Sequence, residues 1–115
     1  MSSIHTKIQL MSNHQIAMGP GKACLLEAIQ LKGSISAAAA SMGMSYKRAW
    51  DLVNIMNNSF NAPLVSTLIG GSKGGGAQVT AFGLQVLTQY REVELKANAV
   101  IKDEISALQA MLAND

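Results

Sequence analysis

Between Gly33 and Asn58 the chain sets out two helices joined by a turn too tight for most packings. Ser34 is placed to accept an orphan backbone N–H at a helix start, and the run that follows, 35–42, is almost all small: Ile35, Ala37 to Ala40, then Met42. Gly43 offers the positive φ that a tight turn wants, and Ser45 is placed to cap a further helix over about 46–58. A helix over 21–32 precedes them. Leu25, Leu26, Ala28 and Ile29 form its apolar stripe, Pro20 suits its first turn, and Gly33 ends it. Three helices in this order form the helix-turn-helix pattern. The second must offer a small side chain where it crosses the third, and Ala39, four residues before Gly43, does so; Met42 and Met44 flank the turn. At 100° per residue, Ala49, Leu52, Val53 and Met56 share one sector of the third helix. Lys47, Asp51, Asn54 and Asn58 lie opposite, with Arg48 beside them and Trp50 on the flank, where a large indole favours packing.

On the N-terminal side, Ile4, Ile8 and Leu10 share one parity, which predicts a half-buried strand over 4–10, with 13–19 as a connection. On the other side, residues 64–69 after Pro63 suit a strand, Ala77-Gln78-Val79 a returning one, and the Gly70-Gly71-Ser72-Lys73-Gly74-Gly75-Gly76 run a flexible tip bearing one lysine. Thr80 is a helix N-cap, and no proline follows it. Val86, Tyr90, Val93, Ala97, Ile101, Ile105, Leu108 and Leu112 recur about every 3.7 residues, a helical period. A helix of some 33 residues is about 50 Å long, more than its own globule can cover. Phe82, Val86 and Leu87 close the globule, whereas Val93, Ala97, Ile101, Ile105, Leu108 and Leu112 are left as a subunit interface. The expected fold is therefore mainly α with a small β-sheet (α+β): a winged helix-turn-helix over 1–80 and a long C-terminal dimerisation helix over 81–115.

Composition narrows the function. The chain of 115 residues is 49% hydrophobic and 14% charged, which is apolar enough to fold. One cysteine, Cys24, rules out an internal disulfide framework, and with His5 and His14 it makes no zinc site. No apolar run has membrane-spanning length, and the N-terminus lacks a signal-peptide series, so a cytoplasmic protein is expected. Aromatic residues at 4% argue against single-strand base stacking. No nucleophile–base set or carboxylate pair suggests an enzyme. The glycine run also fails the phosphate-loop spacing, because Gly70 leads to Gly75-Gly76 instead of Gly-Lys. The net charge of +2 conceals an uneven split: residues 1–80 hold six Lys and Arg against two Asp and Glu, and residues 81–115 hold three against five. A basic body with a polar third helix points to double-stranded DNA, base edges being read in the major groove and phosphates met by the tip.

The stretches Gly33-Ser34-Ile35-Ser36, Met44-Ser45-Tyr46-Lys47-Arg48-Ala49-Trp50-Asp51 and Gly70 to Ala77 resemble the N-terminal half of ModE-type molybdate-responsive transcriptional regulators. The frame, with Thr80 and Gly83 opening a long helix, is also similar to the DNA-binding domain of LysR-type regulators. The resemblance covers about residues 20–95 and implies a homodimer that binds operator DNA. It implies DNA contacts from Ser34, Ser36, Ser45, Tyr46, Lys47, Arg48 and Asp51, and from Lys73, Gly74 and Gly75 on the wing. The length leaves no room for the family's molybdate-binding domain, so no cofactor and no small-molecule effector are expected. The competing expectation is an interaction module whose long helix pairs with a full-length relative.

Overall fold

The computed structural model describes residues 5–68 and 75–113. In chain order its elements are β1 (Leu10–Ser12), β2 (Gln15–Met18), α1 (Pro20–Lys32), α2 (Ile35–Ser41), α3 (Tyr46–Ser59), β3 (Val65–Leu68), β4 (Gly76–Val79), α4 (Ala81–Val100) and α5 (Lys102–Ala110). The helix ends of the central unit fall where the sequence places them. Pro20 opens α1, and Gly33 closes it at φ 79°, its N–H bonding Ile29 O at 2.8 Å. Ser34 Oγ accepts from Ala37 N at 3.0 Å and Ser45 Oγ from Arg48 N at 3.1 Å. Gly43 turns the chain at φ 68°. Ala39 is buried at the crossing, and its carbonyl accepts from Met44 N at 3.0 Å, which pulls the turn shut.

The core forms on α1. Leu25, Leu26 and Ile29 are fully buried against Ala38 of α2, Ala49, Val53 and Met56 of α3, and Leu64 ahead of β3. Leu87 and Tyr90 of α4 complete it, with Phe82 and Val86 packed at its edge as expected.

Two elements differ from the sequence expectation. The strand expected over 4–10 begins only at Leu10, and the supposed connection supplies its partner, β2, antiparallel with Ser12 opposite Gln15. Asn13 (φ 51°) and His14 (φ 65°) both adopt the left-handed region, as a two-residue hairpin turn requires. Of the residues that suggested the strand, Leu10 is in the ladder but exposed, and Ile8 is half-buried outside any ladder. Thr6 and Ile8 are half-buried while His5, Lys7 and Gln9 are exposed, and Ile8 O accepts from the Tyr90 hydroxyl at 2.7 Å. Ile4 lies outside the described residues.

The long helix is also divided. Ile101 (φ −100°, ψ 13°) separates α4 from α5, although Ile101 N still bonds Ala97 O at 3.1 Å and Ile105 N bonds Ile101 O at 2.9 Å. Adjacent β-branched Val100 and Ile101 crowd the preceding turn, and Asp103 and Glu104 suit the positive end of a new helix.

The second hairpin is in place, with Val65 opposite Val79 and Leu68 opposite Gly76. Four hydrogen bonds fix it to the helices and the turn between them. Ala77 N donates to Gly33 O at 2.9 Å, so β4 lies along the α1–α2 turn. Asn57 Oδ1 accepts from Leu64 N (2.8 Å) and Val65 N (3.1 Å), and its Nδ2 donates to Val65 O (3.1 Å), tying α3 to β3.

Candidate nucleic-acid interface

Burying Ala49, Val53 and Met56 on the core side of α3 turns Tyr46, Lys47, Arg48, Asp51, Asn54 and Asn58 outward, all of them exposed. Lys47 Nζ lies 3.0 Å from Asp51 Oδ2, one helical turn on. Such an exposed pair is worth only a few tenths of a kcal/mol, roughly, so Lys47 is easily drawn to another acceptor.

Tyr46 and Trp50 form the flank of this face. Their rings meet edge-on, 6.3 Å between centroids and 80° between planes, and Trp50 Nε1 donates to the Tyr46 hydroxyl oxygen. Because that oxygen already accepts, the phenol's own O–H is left to donate outward. A groove of about 380 Å³ runs between this pair and the wing, lined by Ser34, Ser36, Tyr46, Trp50, Thr67 and Gly75 among others, with no carboxylate in its lining. Hydroxyls without acidic neighbours suit an anionic backbone. Trp50 is half-buried, as its size suggested, yet it also walls the groove.

Of the ten expected contact residues, Ser34, Ser36, Tyr46 and Gly75 meet in this groove, while Lys47 and Asp51 pair on the adjacent face. Ser45 is exposed and caps α3. Arg48 turns the other way, towards the start of α1, where it joins Lys7 and Lys22 around a second cleft. Lys73 and Gly74 lie outside the described residues. Sequence reasoning missed Asn57, whose partners are backbone atoms across a loop, and Thr67, which only strand pairing brings to α2.

Along the C-terminal helices, Val93, Leu108 and Leu112 are exposed and Ala97, Ile101 and Ile105 half-buried. The chain's own N-terminal arm accounts for part of that burial. His5 and Thr6 sit with Ile105 around a cleft, and Thr6 Oγ1 donates to Asn98 Oδ1. Arg91 joins α4 to α1 through a two-pronged contact with Glu27 (2.8 and 3.3 Å) and also meets Glu94 (2.8 Å). Among the described residues no group of three His, Cys, Asp or Glu side chains is suited to a metal ion, and no helix is long and apolar enough to cross a membrane.

This geometry is that of a helix-turn-helix domain with a wing. Solved structures share the fold: the DNA-binding domain in the CbnR–DNA complex (TM-score 0.56, 18% identity, 76% of this chain and 95% of that one) and a full-length LysR-type regulator, LysG of Corynebacterium glutamicum (TM-score 0.53, 23% identity, 83% and 30%). In sequence the chain is similar to the molybdenum transport protein ModE of Azotobacter vinelandii, 43% identical over 77 residues, which are 67% of this chain and 28% of that protein. It is 48% identical to the molybdenum-pterin-binding protein MopB of Rhodobacter capsulatus over the same shares. It is 36% identical to the DNA-binding transcriptional dual regulator ModE of Escherichia coli K12, over 84% of this chain and 38% of that one. No protein-family model matches the chain. The chain is thus a homologue of part of the ModE-type regulators, as its motifs implied, and it spans well under half the length of these relatives.

Proposed function

We propose that this chain is a DNA-binding transcriptional regulator acting as a homodimer in the cytoplasm, with α3 in the major groove and the β3–β4 wing on the sugar–phosphate backbone. The observation that carries this is the polar, fully outward face of α3 beside a hydroxyl-lined groove that ends at the wing. The names of the relatives and the DNA-bound state of a structural neighbour support it. The reading assigns no cofactor or metal to the described residues. Selection of bound sequences from a random duplex library tests both parts: a palindromic product supports regulator and dimer together. If neither genomic nor random duplexes bind below about 10 μM at low salt, the reading is wrong, since non-specific binding alone reaches about 10⁻⁴–10⁻⁶ M.

A second reading rests on the exposed apolar residues Val93, Val100, Leu108 and Leu112 of the C-terminal helices. They suit pairing with a longer relative as well as with a second copy. Light scattering on the purified chain separates the two, because a stable monomer favours the longer partner.

A further inference from the structure

The start of α1 gathers positive charge that no carboxylate among the described residues pairs with. Lys22 is only 8% exposed, and no carboxylate among the described residues lies within ion-pair distance of it. It lines a cleft of about 320 Å³ together with Lys7 and Arg48, and that lining holds no acidic residue. The helix end adds to the imbalance. Its N-cap is Gly19, which supplies no side-chain bond, and its first turn has no acidic residue. Pro20 has no N–H and Ala23 N is taken by Gly19 O at 2.9 Å, which leaves the N–H groups of Gly21 and Lys22 as the orphan donors of the turn. Gly21 is exposed with open space beside its Cα.

A cation beside a helix N-terminus is unfavourable, and a buried cation beside another cation more so. Burial and the neighbouring Arg48 hold the Lys22 ammonium below the ordinary lysine range, which is what an uncompensated site does to a lysine. A bound anion would offset the charge of the helix end and of Arg48 and give the Lys22 ammonium a partner. We propose that the cleft between the start of α1 and α3 is an oxyanion site for a tetrahedral phosphate-class anion, held by Lys22, Arg48 and Lys7 and by the N–H groups of Gly21 and Lys22. The anion is either a free oxyanion or a phosphodiester of bound duplex, and the site chemistry is the same for both.

The full chain, ¹⁵N-labelled, is titrated with inorganic phosphate at constant ionic strength, with chloride as the balancing salt. The expected result is saturable shifts at the Gly21, Lys22 and Ala23 amides and at Arg48 Nε. Lys22→Met, which keeps the apolar stem and removes the charge, weakens this binding about tenfold, the loss of one charge-assisted contact. Lys22→Arg, which keeps the charge, binds phosphate at least half as tightly as the parent chain. Addition of a short duplex identifies the source: displacement of phosphate marks a DNA phosphodiester, and simultaneous occupancy marks a free oxyanion. The phosphate titration stands whether or not duplex binds, so failure of the DNA reading leaves it intact. No saturable shift at Gly21 and Lys22, or identical binding by Lys22→Met, overturns the proposal.

Discussion

Helix propensity alone says that Gly83→Ala stabilises α4 by about 1 kcal/mol; the packing says the opposite. A Cβ on Gly83 would lie 2.2 Å from Leu64 O, 3.0 Å from Leu64 C and 2.8 Å from Val79 Cγ1. Comfortable separations are roughly 3.5 Å, so the first contact is short by more than an ångström. Leu64 O cannot yield freely. It accepts from Thr80 N at 2.9 Å, and its residue is fully buried. The start of α4 must therefore lift from Leu64 and β4, straining the Thr80 cap that bonds Gly83 N at 2.9 Å and Pro63 O at 2.8 Å. Overpacking costs about 1–3 kcal/mol, and each weakened hydrogen bond about 1. After the propensity gain, a net loss of about 2–3 kcal/mol is expected, a fall in Tm of roughly 8–12 °C at about 4 °C per kcal/mol. Urea unfolding at one fixed protein concentration measures it, because a dimer's midpoint depends on concentration. Gly21→Ala is the control: nothing lies within 4 Å of its added methyl, so stability holds or rises by up to about 1 kcal/mol. A Gly83→Ala chain as stable as its parent would refute the docking of α4 on Leu64 and β4.

Asn57→Ala strips three bonds from the start of β3 and leaves buried backbone groups unpaired, so a loss of about 2–4 kcal/mol is expected by urea unfolding. An effect below about 0.5 kcal/mol removes Asn57 as the tie between α3 and the wing. Tyr90 gives a pH signature. Burial, then the charge of Glu94, raises its hydroxyl from 10.0 to about 12. A raised acid binds its proton more tightly when folded, so its contribution is complete below pH 10 and is lost as pH climbs from 10 to 12. Unfolding free energy followed across that window falls in the parent chain and is flatter in Tyr90→Phe; parallel curves contradict the assignment. For DNA, Lys47→Ala is expected to change the preferred sequence, while Lys73→Ala weakens all duplexes alike. Equal loss on every sequence for both variants defeats that division of roles.

What could be read from the chain depended on how far apart the cooperating residues lie. Ser34, Ser45 and Thr80 cap helices through N–H groups three residues on, and Gly33 and Gly43 turn the chain by their own φ, so a short window contains both cause and effect. The β1–β2 hairpin escaped notice because its turn uses Asn13 and His14, where Asn-Gly would have announced the same geometry. Ile8 is half-buried for a reason no window shows, since the surface it meets is α4, about 80 residues away. Arg48 is the sharpest case. Its place two residues into α3 put it with Lys47 on a DNA-facing surface, yet 100° of helical rotation is enough to send it to Lys22. Lys22 itself, a cation in a helix's first turn, carries no local sign of burial, because the residues that share its cleft, Lys7, Met44 and Arg48 among them, lie elsewhere in the chain. Helix ends are encoded locally, whereas a site built where two helices meet is encoded only by their packing. That is why the groove beside the wing was half legible from Ser34, Tyr46 and Gly75, while the cationic cleft, assembled from residues 7, 22 and 48, was not legible at all.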